Sequence, residues 1–288
     1  MSLLAVMKLL VVTSIVLSVM ALAMRAHAQD VLYLFRNWRL GLCAFVAMFV
    51  VVPAVALAMA LNFGLKPEVK VALLVLSLSP VPPLLPKKQL KAGGEGAYIT
   101  GLLVAAALAS LVVMPLGVKL FAALFGVEQH ISTASVARTL AVTIAAPMLL
   151  GFIAGKLLGP RAAAVSAWVG KLAMLLLVVC GVVVLVMVAP SRWGLVGGGP
   201  LLAMLAMILA GLGAGYLLGG GMPENRAALA LAAATRHPGV ALGVVGAGFP
   251  DQRLALVAVL VFVVLNVLVG VPFLRLIHRH DAASDSPA

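Results

Sequence analysis

The chain has 288 residues, of which 64% are hydrophobic and only 10% charged, against roughly 25% charged in an ordinary soluble domain. That excludes a soluble globular fold and indicates an integral membrane protein, in which 16 prolines and 28 glycines are tolerated because neighbouring helices and cavity water satisfy the backbone groups they free. The net charge of +12 sits in short basic clusters between apolar stretches. Such clusters serve orientation and anionic headgroups rather than nucleic acid, and the two cysteines, Cys43 and Cys180, fall inside expected spans and indicate neither a disulfide framework nor a zinc site.

Cutting the chain at its charged and Gly/Pro-rich breaks, with ~20 apolar residues per crossing, predicts nine transmembrane helices. Their limits are 3–26, 38–63, 68–86, 97–125, 136–158, 163–190, 198–219, 226–248 and 252–277. No series of alternating ten-residue segments suggests a barrel, so the fold class is all-α. The first span has a competing reading. Lys8, the apolar run to Met24 and Ala26-His27-Ala28 before Gln29 resemble a cleavable signal peptide, although that run exceeds the usual ~7–15-residue apolar region.

The third span is interrupted by Ser79-Pro80-Val81-Pro82-Pro83, and the eighth by Thr235-Arg236-His237-Pro238-Gly239. The fifth and seventh carry Gly151-x-x-x-Gly155 and Gly211-x-Gly213-x-Gly215, spacings that allow close helix contact. The glycine-rich stretches 197–199 and 219–221 open no strand-to-helix phosphate loop. With nine spans, twelve Lys and Arg fall on one side and seven on the other, Arg236 lying inside. This places the C-terminus in the cytoplasm and the N-terminus outside, as in a bacterial inner membrane.

All eight carboxylates, Asp30, Glu68, Glu95, Glu128, Glu224, Asp251, Asp281 and Asp285, fall in expected loops, helix ends or the tail. An intramembrane acid relay is therefore not expected. Paired aspartates within spans, His-Glu-x-x-His and Gly-x-Ser-x-Gly are lacking too, so no catalytic residue, metal site or cofactor is expected and the chain does not read as an enzyme. Ser14, Ser18, Ser77 and Ser110 lie on apolar spans, where bonding to their own backbone is the ordinary role.

The chemistry concentrates at the two breaks. Proline removes an amide donor and clashes with the preceding turn, so helices split near Pro238 and across Pro80, Pro82 and Pro83, with Gly239 easing the unwinding. Split helices present orphan amides and carbonyls near the bilayer midplane. Arg236 is ten residues beyond Arg226, about 15 Å at the helical rise and so near mid-depth. A charge there is a functional residue by default; the alternative is that it pairs with helix-end carbonyls and locks the fold. His237 adds a hydrogen bond or a titrating group.

With the breaks placed, most of the chain resembles the bile acid:sodium symporter superfamily. Residues 20–25 (Met-Ala-Leu-Ala-Met-Arg) and then Asp30 to Arg36 are similar to its early region. Ser79-Pro80 stands at its Cys-Pro-Gly-Gly-like break, Arg236 to Ala241 at its Gln-Asn-Ser-Gly-Leu-Ala-like motif, and Asn266 with Gly270 at a polar pair in its last helix. The resemblance implies inverted repeats whose fourth helices break and cross, with a panel domain rocking against a core. In this chain that gives one transporter domain over 1–288, a first repeat over 1–135 lacking one helix, a second over 136–278 and a cytoplasmic tail over 279–288. Two departures put sodium coupling in doubt. The family's intramembrane Glu and Gln fall at Ala232 and Arg236, and its Ser-Asn pair falls near Leu85 and Pro86.

The resulting expectation is a secondary transporter of a small organic anion in the lipid bilayer, working by alternating access. Thr235, Arg236, His237, Ser79 and Asn266 are the candidate substrate-binding residues. A non-transporting membrane sensor or assembly subunit is the alternative; no protein partner is indicated.

Overall fold

A computed structural model describes residues 3–82, 96–126, 132–188, 198–249 and 254–284. Every element among them is helical. In order they are α1 (Leu3–Ala23), α2 (Ala28–Arg36), α3 (Trp38–Val46) running through a π-turn at Ala47–Val51 into α4 (Val52–Asn62), α5 (Pro67–Leu78) and α6 (Gly96–Phe125). Then come α7 (Thr133–Leu140), joined by a second π-turn at Ala141–Ala145 to α8 (Ala146–Leu158), α9 (Ala162–Val188), α10 (Gly198–Leu218), α11 (Pro223–Ala234), α12 (Pro238–Gly248) and α13 (Ala255–Ser284).

Proline punctuates these helices. Pro67, Pro223 and Pro238 stand in the first turns of α5, α11 and α12, where the missing N–H costs nothing. Pro53 and Pro147 each follow a π-turn, and the wider turn makes room for a ring that would clash in an unbroken α-helix. Ser79 and His237, each preceding a proline, have extended backbones with ψ of 151° and 102°, as the proline ring requires. Helix α5 therefore ends at the first predicted break, and α11 and α12 lie on either side of the second.

Six helical stretches among the described residues are long and apolar enough to cross a membrane: Trp38–Asn62, Gly96–Phe125, Val136–Val183, Gly198–Leu218, Asn225–Gly248 and Ala255–Ile277. The count differs from the expected nine for identifiable reasons. The described apolar stretch of the first helix is the shorter Leu9–Ala23, and α5 has 12 residues before its break. The stretch Val136–Val183 holds two expected spans, separated by a short 3-10 turn in which Gly159 takes φ of 51°. Two further differences concern helices. Residues 28–36 form an amphipathic helix rather than a loop, its start held by the His27 N–H donating to Asp30 Oδ2 at 3.1 Å; a search for ~20-residue apolar runs passes over nine amphipathic residues. The last helix runs to Ser284, into the segment expected as a tail.

The broken helix is the most enclosed of the six spans: an apolar 18-residue stretch within Asn225–Gly248 is 89% buried, against 28% for that within Val136–Val183. Residues 71–81 are buried without exception. Around them the other helices turn Leu, Val and Phe outward, with Val112, Leu149, Leu175 and Leu268 exposed, as lipid-facing surfaces should.

Two glycine-spaced seams hold this arrangement. Gly151 and Gly155 bring α8 onto the backbone of α1 at Met20 and Met24, and α9 joins them through Ser14 Oγ donating to the Ala173 carbonyl and Ser166 Oγ to the Ala21 carbonyl, each at 2.7 Å. The second seam packs α10 on α11. A Cβ on Gly211 would lie 2.7 Å from Ala234 Cα, and Gly215 and Gly219 meet the backbones of Ala230 and Arg226. Gly213, expected in the same seam, has open space instead. The contacting face follows a four-residue repeat, which leaves 213 on the other side. Gly215→Leu is therefore expected to abolish recovery of monodisperse protein in detergent, while Gly213→Leu leaves yield and melting temperature near those of the parent.

Candidate functional site

The two breaks meet. The His237 amide, at the start of α12, donates to the Pro80 carbonyl at 2.8 Å, so the gap in one broken helix supplies the acceptor for the other. Arg236 reinforces the junction with Nη1 donating to the Ser79 carbonyl at 3.2 Å and Nη2 to the Met48 carbonyl at 2.6 Å. The side chain is 1% exposed, and its guanidinium carbon lies 5.9 Å from the Phe49 ring centre, within cation–π range. Its Nε has no hydrogen-bond partner. Among the described residues no acidic side chain pairs with it, the recorded ion pair being His27 with Asp30.

Why Met48 offers a carbonyl follows from Pro53. In the π-turn at Ala47–Val51 each carbonyl looks to the N–H five residues on, and the residue five beyond Met48 is Pro53, which has none. Arg236 supplies the donor that the proline withholds. A buried carbonyl left alone costs about 1–3 kcal/mol, and bonds from a charged donor are stronger than neutral ones, so the guanidinium stabilises two backbone defects at once. These contacts also hold a charge with no carboxylate beside it.

The other candidate residues complete the same junction. Asn266 on α13 is buried; its Nδ2 donates to the Ala234 carbonyl at 2.9 Å, and its Oδ1 accepts from Thr235 Oγ1 at 3.2 Å, which caps the end of α11. Ser79 is fully buried with its hydroxyl turned back on the Leu76 carbonyl at 2.8 Å, so its carbonyl rather than its side chain faces Arg236. The Val240 N–H donates to His237 Nδ1 at 3.4 Å, and Nε2 faces Ser18 Oγ on α1 at 3.4 Å. Since Ser18 donates to the Ile15 carbonyl at 2.8 Å, its oxygen accepts from a protonated Nε2; these contacts describe the neutral ring.

Gly239 has a role other than ease of unwinding. A Cβ there would stand 2.9 Å from Ile15 Cγ1 and 3.2 Å from the His237 ring, so glycine is what lets α1 lie across the break. Pro80 is buried and Pro82 half-buried; Pro83 lies outside the described residues. Thr235, Arg236, His237, Ser79 and Asn266 are thus brought together with three groups that the sequence reading missed, Met48, Phe49 and Ser18. Pro53, a proline inside an apolar span, is the signal that could have found the first two.

Two variants separate charge from capping. Arg236→Ala is expected to lower stability by roughly 2–4 kcal/mol, because two buried carbonyls lose their donors. Asn266→Ala is expected to cost about 1–3 kcal/mol by exposing only the end of α11. Thermal unfolding in detergent reads both, and equal melting temperatures for parent and Arg236→Ala would contradict the junction's structural role.

The geometry can be set beside known proteins. Comparison with curated proteins gives no match. The family profile described as the sodium bile acid symporter family matches residues 9–191, from within α1 to just past α9; the second break and Asn266 lie beyond the matched stretch. Because the match covers well over half of the chain, the protein belongs to the sodium bile acid symporter family, a family of membrane transporters.

Proposed function

We propose that the chain is a secondary transporter of a small organic anion, working by alternating access, in which the tethered guanidinium of Arg236 stands in for a coupling cation. The observation that carries this reading is the buried Arg236 charge, hydrogen-bonded to the carbonyls of Ser79 and Met48 and without an acidic partner among the described residues. Backbone carbonyls are the ligands a sodium ion would use. A guanidinium already on them repels a second cation and leaves the crossing net positive, so an anion is the favoured guest. The positive end of the α12 dipole lies at the same crossing and adds to that preference.

Access requires the junction to open, since Arg236 and His237 are 1% and 3% exposed. The natural division is between α1, α8 and α9, tied by the Gly151/Gly155 seam and the Ser14 and Ser166 bonds, and the helices around the breaks. These would be panel and core, with Ser18, Ile15 and the His237–Gly239 segment at the sliding face. In this reading the nine segments all traverse the inner membrane, with the N-terminus outside and the C-terminus in the cytoplasm.

Purified protein in liposomes tests the proposal, with uptake of a bile acid, a keto acid and an alkyl sulfonate measured under inward sodium or potassium gradients. Saturable uptake of at least one, equal in the two salts and lost in Arg236→Ala, is expected. Sodium-dependent uptake that persists in Arg236→Ala would sink the tethered-cation mechanism. Absence of saturable flux for every anion would favour the sensor or assembly-subunit alternative. A further expected outcome concerns Ser18→Ala: saturable uptake with an altered maximal rate and unchanged half-saturation, read from the same initial-rate curves, because Ser18 contacts the junction only through His237.

A further inference from the structure

Away from the crossing, a cleft of about 380 Å³ opens between α2, α3 and α6, walled by Phe35, Trp38, Phe45, Phe49, Ala106 and Ala109 among other apolar residues. Phe35 and Trp38 are 68% and 62% exposed. They stand where the amphipathic α2 gives way to the apolar span of α3, the level at which aromatic side chains sit among lipid headgroups. At that same junction Arg36 ends α2, and the Arg39 guanidinium stacks 5.6 Å over the Trp38 ring. Both arginines are exposed and neither has an acidic partner among the described residues; the acid on the same helix, Asp30, is paired with His27 at 3.3 Å.

We propose that this cleft binds one anionic phospholipid of the surrounding leaflet, its acyl chain lying between α2, α3 and α6 and its phosphate held by Arg36 and Arg39. The apolar walls select a hydrocarbon chain. Arg39, stacked on the rim residue Trp38, and Arg36, next in sequence to the rim residue Phe35, favour a headgroup with net negative charge over a zwitterionic one. The floor gives the site a second consequence. Met48 and Phe49 line the cleft on one side and meet Arg236 on the other, through the Met48 carbonyl and the Phe49 ring. A chain lodged there packs against the π-turn that holds Arg236. Anionic lipid therefore stabilises the junction as well as coating the surface, whether or not the crossing carries an anion.

The test uses the full-length protein in detergent, titrated with phosphatidylglycerol or phosphatidylcholine and read by native mass spectrometry and by thermal unfolding. One phosphatidylglycerol is expected to be retained in preference to phosphatidylcholine, with a rise in melting temperature that phosphatidylcholine does not reproduce. Arg36→Gln combined with Arg39→Gln should cut the preference by roughly tenfold or more, since each basic residue adds to the attraction for an anionic headgroup. Both positions are exposed, so this variant keeps its fold. Ala109→Phe, which fills the cleft from its half-exposed wall, should remove the retained lipid altogether, while Arg275→Gln, an exposed arginine on α13, should leave the preference intact. Equal retention of the two lipids, or an unchanged preference in the double variant, overturns the proposal. So does a dimer mass without lipid, which would place a second copy of the chain on this face.

Discussion

A dry interior does not forgive an unpaired backbone group, and the central helices here contain two places where pairing is deliberately broken. Each break is satisfied by the other half of the chain: the Pro80 carbonyl takes the His237 amide, and the Ser79 carbonyl takes Arg236. The remaining loose ends are met from the periphery, Ala234 by Asn266 on the last helix and Met48 by the second arm of Arg236. Charge, proline and polar side chain form a single hydrogen-bonding system. None of its members makes sense when considered alone.

That system dictates the rest of the packing. Helices carrying such a junction must be screened from lipid on every side, which is why Asn225–Gly248 is the most buried span and α5 is enclosed from Val71 to its end. Close screening needs thin contacts. Glycines at 211, 215 and 219 let α10 lie on the α11 backbone, and Gly239 lets Ile15 of α1 cross the break itself. A branched side chain at any of these positions would push the screen outward and wet the carbonyls behind it.

Much of this was legible in the amino-acid sequence because the governing signals are local. Proline within an apolar run marks a helix break, and α5 ends at Ser79–Pro80 as α11 gives way to α12 at Thr235–Pro238. Arg236 stood out because no partner lay near it in sequence. Its partners could not be found the same way: the Ser79 and Met48 carbonyls are backbone atoms 157 and 188 residues distant, and backbone atoms leave no compositional trace. The short helix 28–36 was missed because hydropathy over a membrane-length window averages an amphipathic turn into its neighbours. Gly213 was grouped with Gly211 and Gly215 because spacing alone does not reveal which face meets a neighbour. The count of crossings differs between the two readings because a short helix before a break and two spans joined by a helical turn each defeat a length criterion, in opposite directions.

The long reach of Arg236 also bears on how the protein comes into being. Met48 and Ser79 enter the membrane early, while the side chain that satisfies their carbonyls is made after most of the chain. Until residue 236 arrives, those carbonyls must be held by water or by the insertion machinery, and the first half cannot reach its final dryness by itself. The Arg236 guanidinium acts as a keystone, joining the Ser79 and Met48 carbonyls to the second half of the chain. A chain that ends before residue 236 has no donor of this kind for either carbonyl.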